Sequence, residues 1–133
     1  MRVLGVDYGL RRIGLAIGET EVKMAFAREV LPATGSVSGD ASVVFSFYMD
    51  EGCELIVVGL PRFDDGHEGE QAAVTRLFGD ALVELGAPVE YMDERYSTSA
   101  ALRGLSHLSP KDAKRVVDAE AARMILETYL LGC

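Results

Sequence analysis

A chain of 133 residues with 49% hydrophobic content can bury one good core, and no Pro/Gly/Ser-rich linker divides it, so a single domain over 1–133 is expected. Thirteen basic residues against 21 acidic ones give a net charge of −8, which argues against a protein that grips nucleic acid by broad electrostatic attraction. It does not exclude a nuclease, because acids gathered around divalent cations are neutralised by them. No apolar run approaches the roughly 20 residues that span a bilayer, and no charged-then-apolar segment opens the chain, so a cytoplasmic protein without membrane association is expected.

The first element is Val3-Leu4-Gly5-Val6-Asp7-Tyr8-Gly9, an apolar strand that ends in a carboxylate. Gly9 and Gly14 bracket a turn and allow a second group to approach the backbone closely. Taken alone, Asp7 either serves chemistry or merely caps that turn. Ile13 to Gly18 reads as a second strand and Val22 to Leu31 as a third, and the short links between them make the three antiparallel. Pro32 to Gly39 is a loop by composition, Asp40 is the expected N-cap of a helix bearing Val44, Phe47 and Tyr48, and Gly52 ends it. Cys53 and Cys133 are the only cysteines; two such residues make neither a disulfide framework nor a zinc cluster, and both are read as free thiols.

Leu55 to Pro61 is a continuous β-branched run, the pattern of a strand covered on both faces. Phe63-Asp64-Asp65-Gly66 is a turn, and Val74, Leu77, Phe78, Ala81, Leu82 and Leu85 form the stripe of an amphipathic helix stopped by Gly86. Pro88 to Met92 is a fifth strand that delivers Asp93-Glu94-Arg95 at its C-terminal end, the edge where open α/β sheets place ligands. Ser97 or Thr98 caps a short helix. Ser109-Pro110-Lys111-Asp112 then opens a last helix reaching about Leu130. Asp118 lies four residues before Ala122 and seven before Ile125, on the stripe of that helix that packs inward.

Three separate elements thus aim acids at one place: Asp7, the pair Asp93/Glu94, and Asp118. Hard divalent ions such as Mg²⁺ or Mn²⁺ prefer carboxylate oxygens, and two ions about 3.5–4 Å apart stabilise both the attacking and leaving oxygens of a phosphoryl displacement. That is nuclease chemistry. Arg11 and Arg12 in the first turn, and Arg95 beside the acids, are candidates for holding substrate phosphates, although an ion pair to Asp93 or Asp7 explains Arg95 equally well. Lys111, Lys114 and Arg115 form the only dense basic run, at the start of the helix that carries Asp118; adjacency to the acids favours backbone contact over a solvated face. His67 and His107 read as surface histidines; the aromatics mostly fall on core stripes with no aromatic-basic platform for stacking bases, Tyr8 and Tyr96, which flank the acids, being the exceptions.

Taken together, Gly5-Val6-Asp7-Tyr8-Gly9 with Arg12-Ile13-Gly14, Val57 to Pro61, Asp93 to Thr98, and Asp118 followed by Ala121-Ala122 and Ile125-Leu126 resemble the YqgF/RuvX family over essentially the whole chain. Members of that family are described as Holliday-junction resolvases or pre-ribosomal RNA nucleases. The resemblance implies an α/β, RNase H-like fold: a five-stranded mixed sheet, three antiparallel strands then two parallel, flanked by helices. It also implies Asp7, Asp93, Glu94 and Asp118 as metal-binding carboxylates for Mg²⁺ or Mn²⁺. The strand from Leu55 ends Gly59-Leu60-Pro61 without the acid many RNase H-like nucleases carry there, so that acid comes from Asp93 or Glu94. Strand alternation sends those two to opposite faces, which favours Glu94 with Asp7 and Asp118 as the catalytic set. Glu120, two residues beyond Asp118, falls on another side of the helix and is read as solvated.

The leading expectation is therefore a metal-dependent endonuclease acting on branched DNA or precursor ribosomal RNA; a junction resolvase would act as a homodimer, because its substrate is two-fold symmetric. A non-catalytic nucleic-acid-binding scaffold is the alternative, disfavoured by an inward Asp118 that serves no purpose without metal. An actin-like ATP-binding phosphotransferase also uses an Asp-x-Gly turn, but such enzymes close two domains around the nucleotide, and this length makes one.

Overall fold

The computed structural model describes residues 1–62, 65–93 and 110–132, the side chains of 110–119 excepted. Its elements are β1 (Arg2–Tyr8), β2 (Arg12–Glu19), β3 (Met24–Pro32), α1 (Val37–Asp50), β4 (Leu55–Leu60), α2 (Glu70–Leu85), β5 (Val89–Asp93) and α3 (Pro110–Leu131). The sheet order is β3-β2-β1-β4-β5, with β1/β2 and β2/β3 antiparallel and β1/β4 and β4/β5 parallel. This is the mixed five-stranded sheet implied above.

Strand alternation sorts the side chains onto two faces. Leu4, Val6, Tyr8, Ile13, Leu15, Ile17, Ile56 and Val58 pack with Ala41 and Val44 of α1 and Phe78 and Leu82 of α2. Val3, Ala16, Ala25, Leu55 and Val57 pack with Ala122, Ile125, Leu126 and Leu130 of α3. β4, apolar at every position, is buried at every position because helices cover both of its faces.

Helix α3 comes close because two strand residues lack side chains. A Cβ at Gly5 would stand 3.0 Å from the Ala122 carbonyl oxygen and 3.0 Å from Leu126 Cβ, and one at Gly18 would stand 2.9 Å from Leu126 and Leu130 methyls. These approaches fix the helix register against β1 and β2.

Several local expectations shift. The strand expected over Val22 to Leu31 runs Met24–Pro32 instead, because the chain turns through Lys23 at φ 52. Asp40 does not cap α1: Ser36 does, accepting from the Gly39 N–H at 3.0 Å, while Asp40 sits buried inside the first turn. On α2 the buried residues are Ala72, Thr75, Phe78, Gly79 and Leu82, whereas Leu77 and Leu85 are 59% and 44% exposed. The face is set by Tyr91, whose hydroxyl fills the space a Cβ at Gly79 would need. Gly86 ends α2 at φ 114 as expected. At the β3 edge Leu15 pairs Glu29 and Ala16 pairs Ala27, so Arg28 bulges out of the ladder and its guanidinium meets Glu51 at 2.6 Å. A bulge and charges on an edge strand discourage pairing with another chain.

Two outcomes follow from this packing. Gly5→Ala should lower stability in urea unfolding, since crowding α3 costs about 1–3 kcal/mol against roughly 0.4–1 kcal/mol gained by stiffening the unfolded chain. Gly132→Ala, where a Cβ meets Tyr129 O at 3.5 Å and Thr128 O at 4.0 Å, both ordinary contacts, is the neutral control. The buried Cys53 thiol is pushed up to about 11 by desolvation. In a Cys133→Ser variant it should therefore resist a thiol reagent at pH 8 until denaturant is added. The unfolded thiol ionises first, so stability contributed by this group should be intact below its ordinary value of 9.0 and fall as pH rises towards about 11.

Candidate active site

Asp7 is the penultimate residue of β1, not its last, and is half-buried at the C-terminal edge of the sheet. By alternation it shares a face with Val3 and Gly5, the face packed by α3. Across the antiparallel ladder its partner is Gly14, and continuing the β1/β4 register beyond Val6 and Val58 brings Gly59 alongside. The residues directly beside Asp7 on the two neighbouring strands are thus both glycines.

The α3 register carries this further. Gly18, paired with Val3, meets Leu126 and Leu130; Gly5, two residues along β1, meets Ala122 and Leu126. Two strand residues advance about 6.6 Å and one helix turn about 5.4 Å, so the helix runs back one turn for each such step. The next step along β1 is Asp7, and the next turn back along α3 is position 118. Continued by one step, the same register leads from Gly5 and Ala122 towards Asp7 on the strand and position 118 on the helix.

Asp93 ends β5 beside Leu60. It has the parity of Val89 and Tyr91, which pack against the α1/α2 core, while Met92 packs against the α3 core. Alternation thus directs Asp93 to the sheet face opposite Asp7. Glu94 and Arg95 lie outside the described residues, as do Tyr96, the short helix expected from Ser97 or Thr98, and His107. Lys111, Lys114 and Arg115 lie on the first turns of α3, whose side chains are not described. Among the described residues no three His, Cys, Asp or Glu side chains converge on one point.

The turn between β1 and β2 presents its arginines at the same edge. Arg12, half-exposed, has the parity of Gly14 and so stands on Asp7's face; Arg11 is exposed at the tip. The turn is held by the Gly9 N–H donating to Arg12 O at 2.9 Å and by the Ala33 N–H donating to Arg11 O at 2.9 Å. A Cβ at Gly9 would stand 2.8 Å from Arg12 O, so this position requires glycine.

Other candidates are used elsewhere. Tyr8 is not a stacking platform for a base: it is buried on the α1/α2 face, stacked on Phe78 with ring centroids 4.0 Å apart, and its hydroxyl donates to Asp40 Oδ2 at 2.5 Å. Burial, and then the Asp40 carboxylate, push its phenol far above the ordinary value. His67 is exposed and pairs with Asp65 (Nδ1 to Oδ1 2.6 Å), whose carboxyl is held low by the hydrogen bonds from His67. Glu120 pairs with Arg123 at 2.7 Å. The Asp40 cluster escaped the sequence reading. Its one signal was a tyrosine on an apolar stripe, since a buried phenol needs a polar partner.

Comparison with known proteins gives three findings. A family profile described as "RuvX: Holliday junction resolvase" matches residues 1–131. A protein of Chloroflexus aggregans named "Putative pre-16S rRNA nuclease" is 39% identical over 96% of this chain and 92% of its own length, and one of the same name from Thermus thermophilus is 38% identical over 98% and 97%. Among solved structures, Thermus thermophilus RuvC superposes with a TM-score of 0.58 at 19% identity, covering 99% of this chain and 95% of that one. The fowlpox virus Holliday junction resolvase gives 0.58 at 10% identity over the full length of both. At these identities the two structures attest the fold.

Opposite faces for Asp7 and Asp93 predict unequal substitutions. In calorimetric titration with Mn²⁺, Asp7→Asn should weaken binding by about 100-fold, at or beyond the loss that follows removal of an outer-sphere partner, and Asp93→Asn by less than about 10-fold.

Proposed function

This chain belongs to the RuvX family and is a nuclease, and from that premise we propose that it hydrolyses phosphodiester bonds in structured nucleic acid, with precursor 16S rRNA as its substrate. The observation that carries the substrate is the near-full-length identity of 39% to a relative named for that RNA. Asp7, Glu94 and Asp118 are the catalytic carboxylates of this reading. Asp7 is supported by its place near the end of a rigid central strand with glycines on either side, and Asp118 by its place one helical turn before Ala122, which meets Gly5 of the same strand. Asp93, directed to the other face, is the outer member of the set.

An all-carboxylate donor set suits Mg²⁺ or Mn²⁺ rather than a soft metal. Two such ions, when bound, supply charge neutralisation at the scissile phosphate and a more acidic water. The protein's own part is to hold its carboxylates at fixed spacing on β1 and α3 and to keep the substrate backbone beside them. Arg11 and Arg12 are suited to grip phosphate oxygens, with Arg95, Lys111, Lys114 and Arg115 extending that contact along the strand. A net charge of −8 limits attraction at long range, so binding should depend on these local cations and on substrate shape.

Branched DNA is the second reading, carried by the description of the matching family profile. It requires two cuts related by a two-fold axis and hence a homodimer, whereas one RNA cut needs a single site.

Incubation of a precursor 16S RNA and a synthetic four-way DNA junction with Mg²⁺, Mn²⁺ or chelator separates the readings. RNA cleavage lost in chelator and reduced about 100- to 1000-fold in Asp7→Asn is expected, the equivalent of several kcal/mol of lost charge stabilisation. Symmetric junction cuts with intact RNA would make the chain a resolvase. Cleavage of neither with any metal would overturn the nuclease reading.

A further inference from the structure

We propose that Asp40 is a positioning residue for the metal-binding edge, fixing through Tyr8 the end of β1 that carries Asp7 and through Thr34 the turn that carries Arg11. The inference rests on the reading of Asp7 as a metal ligand. Asp40 lies in the first turn of α1 and is only 2% exposed. Its Oδ2 accepts the Tyr8 hydroxyl at 2.5 Å, and its Oδ1 accepts the Thr34 N–H at 2.6 Å and the Thr34 hydroxyl at 2.9 Å. Hydrogen bonds to an ionised acceptor are short and strong, and here they occupy both oxygens.

A buried, fully paired carboxylate gives little net stability over a well-packed apolar residue, so its consequence is sought in the geometry it enforces. Tyr8 is held at three points: the hydroxyl by Asp40, the ring by the 4.0 Å stack on Phe78, and the carbonyl by Gln71 Nε2 at 3.3 Å. Asp7 and Tyr8 are consecutive in the β1/β2 ladder, opposite Gly14 and Ile13, so strand alternation couples a Tyr8 fixed on one face to an Asp7 that leaves the other. The second arm runs from Asp40 through Thr34 to its neighbour Ala33, whose N–H donates to Arg11 O at 2.9 Å. One buried carboxylate therefore ties the acid-bearing strand end and the arginine turn to the same helix.

The test is a double-mutant series: Tyr8→Phe and Asp40→Asn, each in wild type and in Asp7→Asn, with the Mn²⁺ dissociation constant read by titration calorimetry and the Tm read alongside. Tyr8→Phe keeps the ring on Phe78 and so decides the matter if Asp40→Asn does not fold. In wild type, Mn²⁺ affinity should fall about 10-fold. In Asp7→Asn the same substitutions should add no further loss, while Tm drops in both backgrounds. A lower Tm with unchanged Mn²⁺ affinity would overturn the proposal, leaving Asp40 a structural residue only. Equal losses of affinity in both backgrounds would overturn it too, because the effect would not pass through Asp7. If Asp7→Asn alone left Mn²⁺ affinity intact, the metal-ligand reading would fail first, and visibly apart from the behaviour of Tyr8→Phe.

Discussion

The close approach of α3 to β1 and β2 governs the rest of the molecule. It exists because Gly5 and Gly18 put no side chain between strand and helix, so that Ala122, Leu126 and Leu130 come down onto backbone. Close packing of this kind permits one register only, since sliding the helix would drive methyl groups into the strand. Register at Gly5 in turn determines which turn of the helix stands over Asp7. A packing constraint well inside the domain thus sets how α3 runs along β1 towards the sheet edge where Asp7 lies.

Fixing a helix over one face does not by itself hold the acid-bearing strand end still; the opposite face does that. There Tyr8 is sandwiched into the α1/α2 core, and Asp40 satisfies its hydroxyl while gathering the loop before α1. A buried phenol without its acceptor would cost about 1–3 kcal/mol, so the two residues are committed to each other. β1 is then clamped from both sides, apolar packing and a charged hydrogen bond on one face and a tight helix on the other. Rigid support of this sort suits a site whose carboxylates must keep a fixed spacing.

The sheet was largely legible in the sequence because its signals are local. Short links between Asp7 and Met24 announce antiparallel neighbours, and the unbroken run from Leu55 to Leu60 announces a strand buried on both faces. Less legible were features that depend on a distant partner. Leu77 and Leu85 fit the helical stripe of α2 but stay exposed, because Tyr91 against Gly79 rotates the buried face. Asp40 has the composition of a helix cap, yet Tyr8, 32 residues away, draws it inward and leaves the cap to Ser36.

The sequence by itself determined the family, the strand and helix types, and the identity of Asp7, Asp93, Glu94 and Asp118 as candidate acids, since residue type and periodicity are properties of neighbours along the chain. Only the tertiary structure decided that two of the described acids, Asp7 and Asp93, stand on opposite faces. Asp7 faces α3 with Gly14 and Gly59 beside it, and Asp93, though at the same sheet edge, belongs to the other face. The parity of one strand relative to another is fixed by hydrogen-bond register across the sheet, and the turn of α3 that meets Asp7 is fixed by steric fit at Gly5. Neither quantity is written in any single stretch of chain.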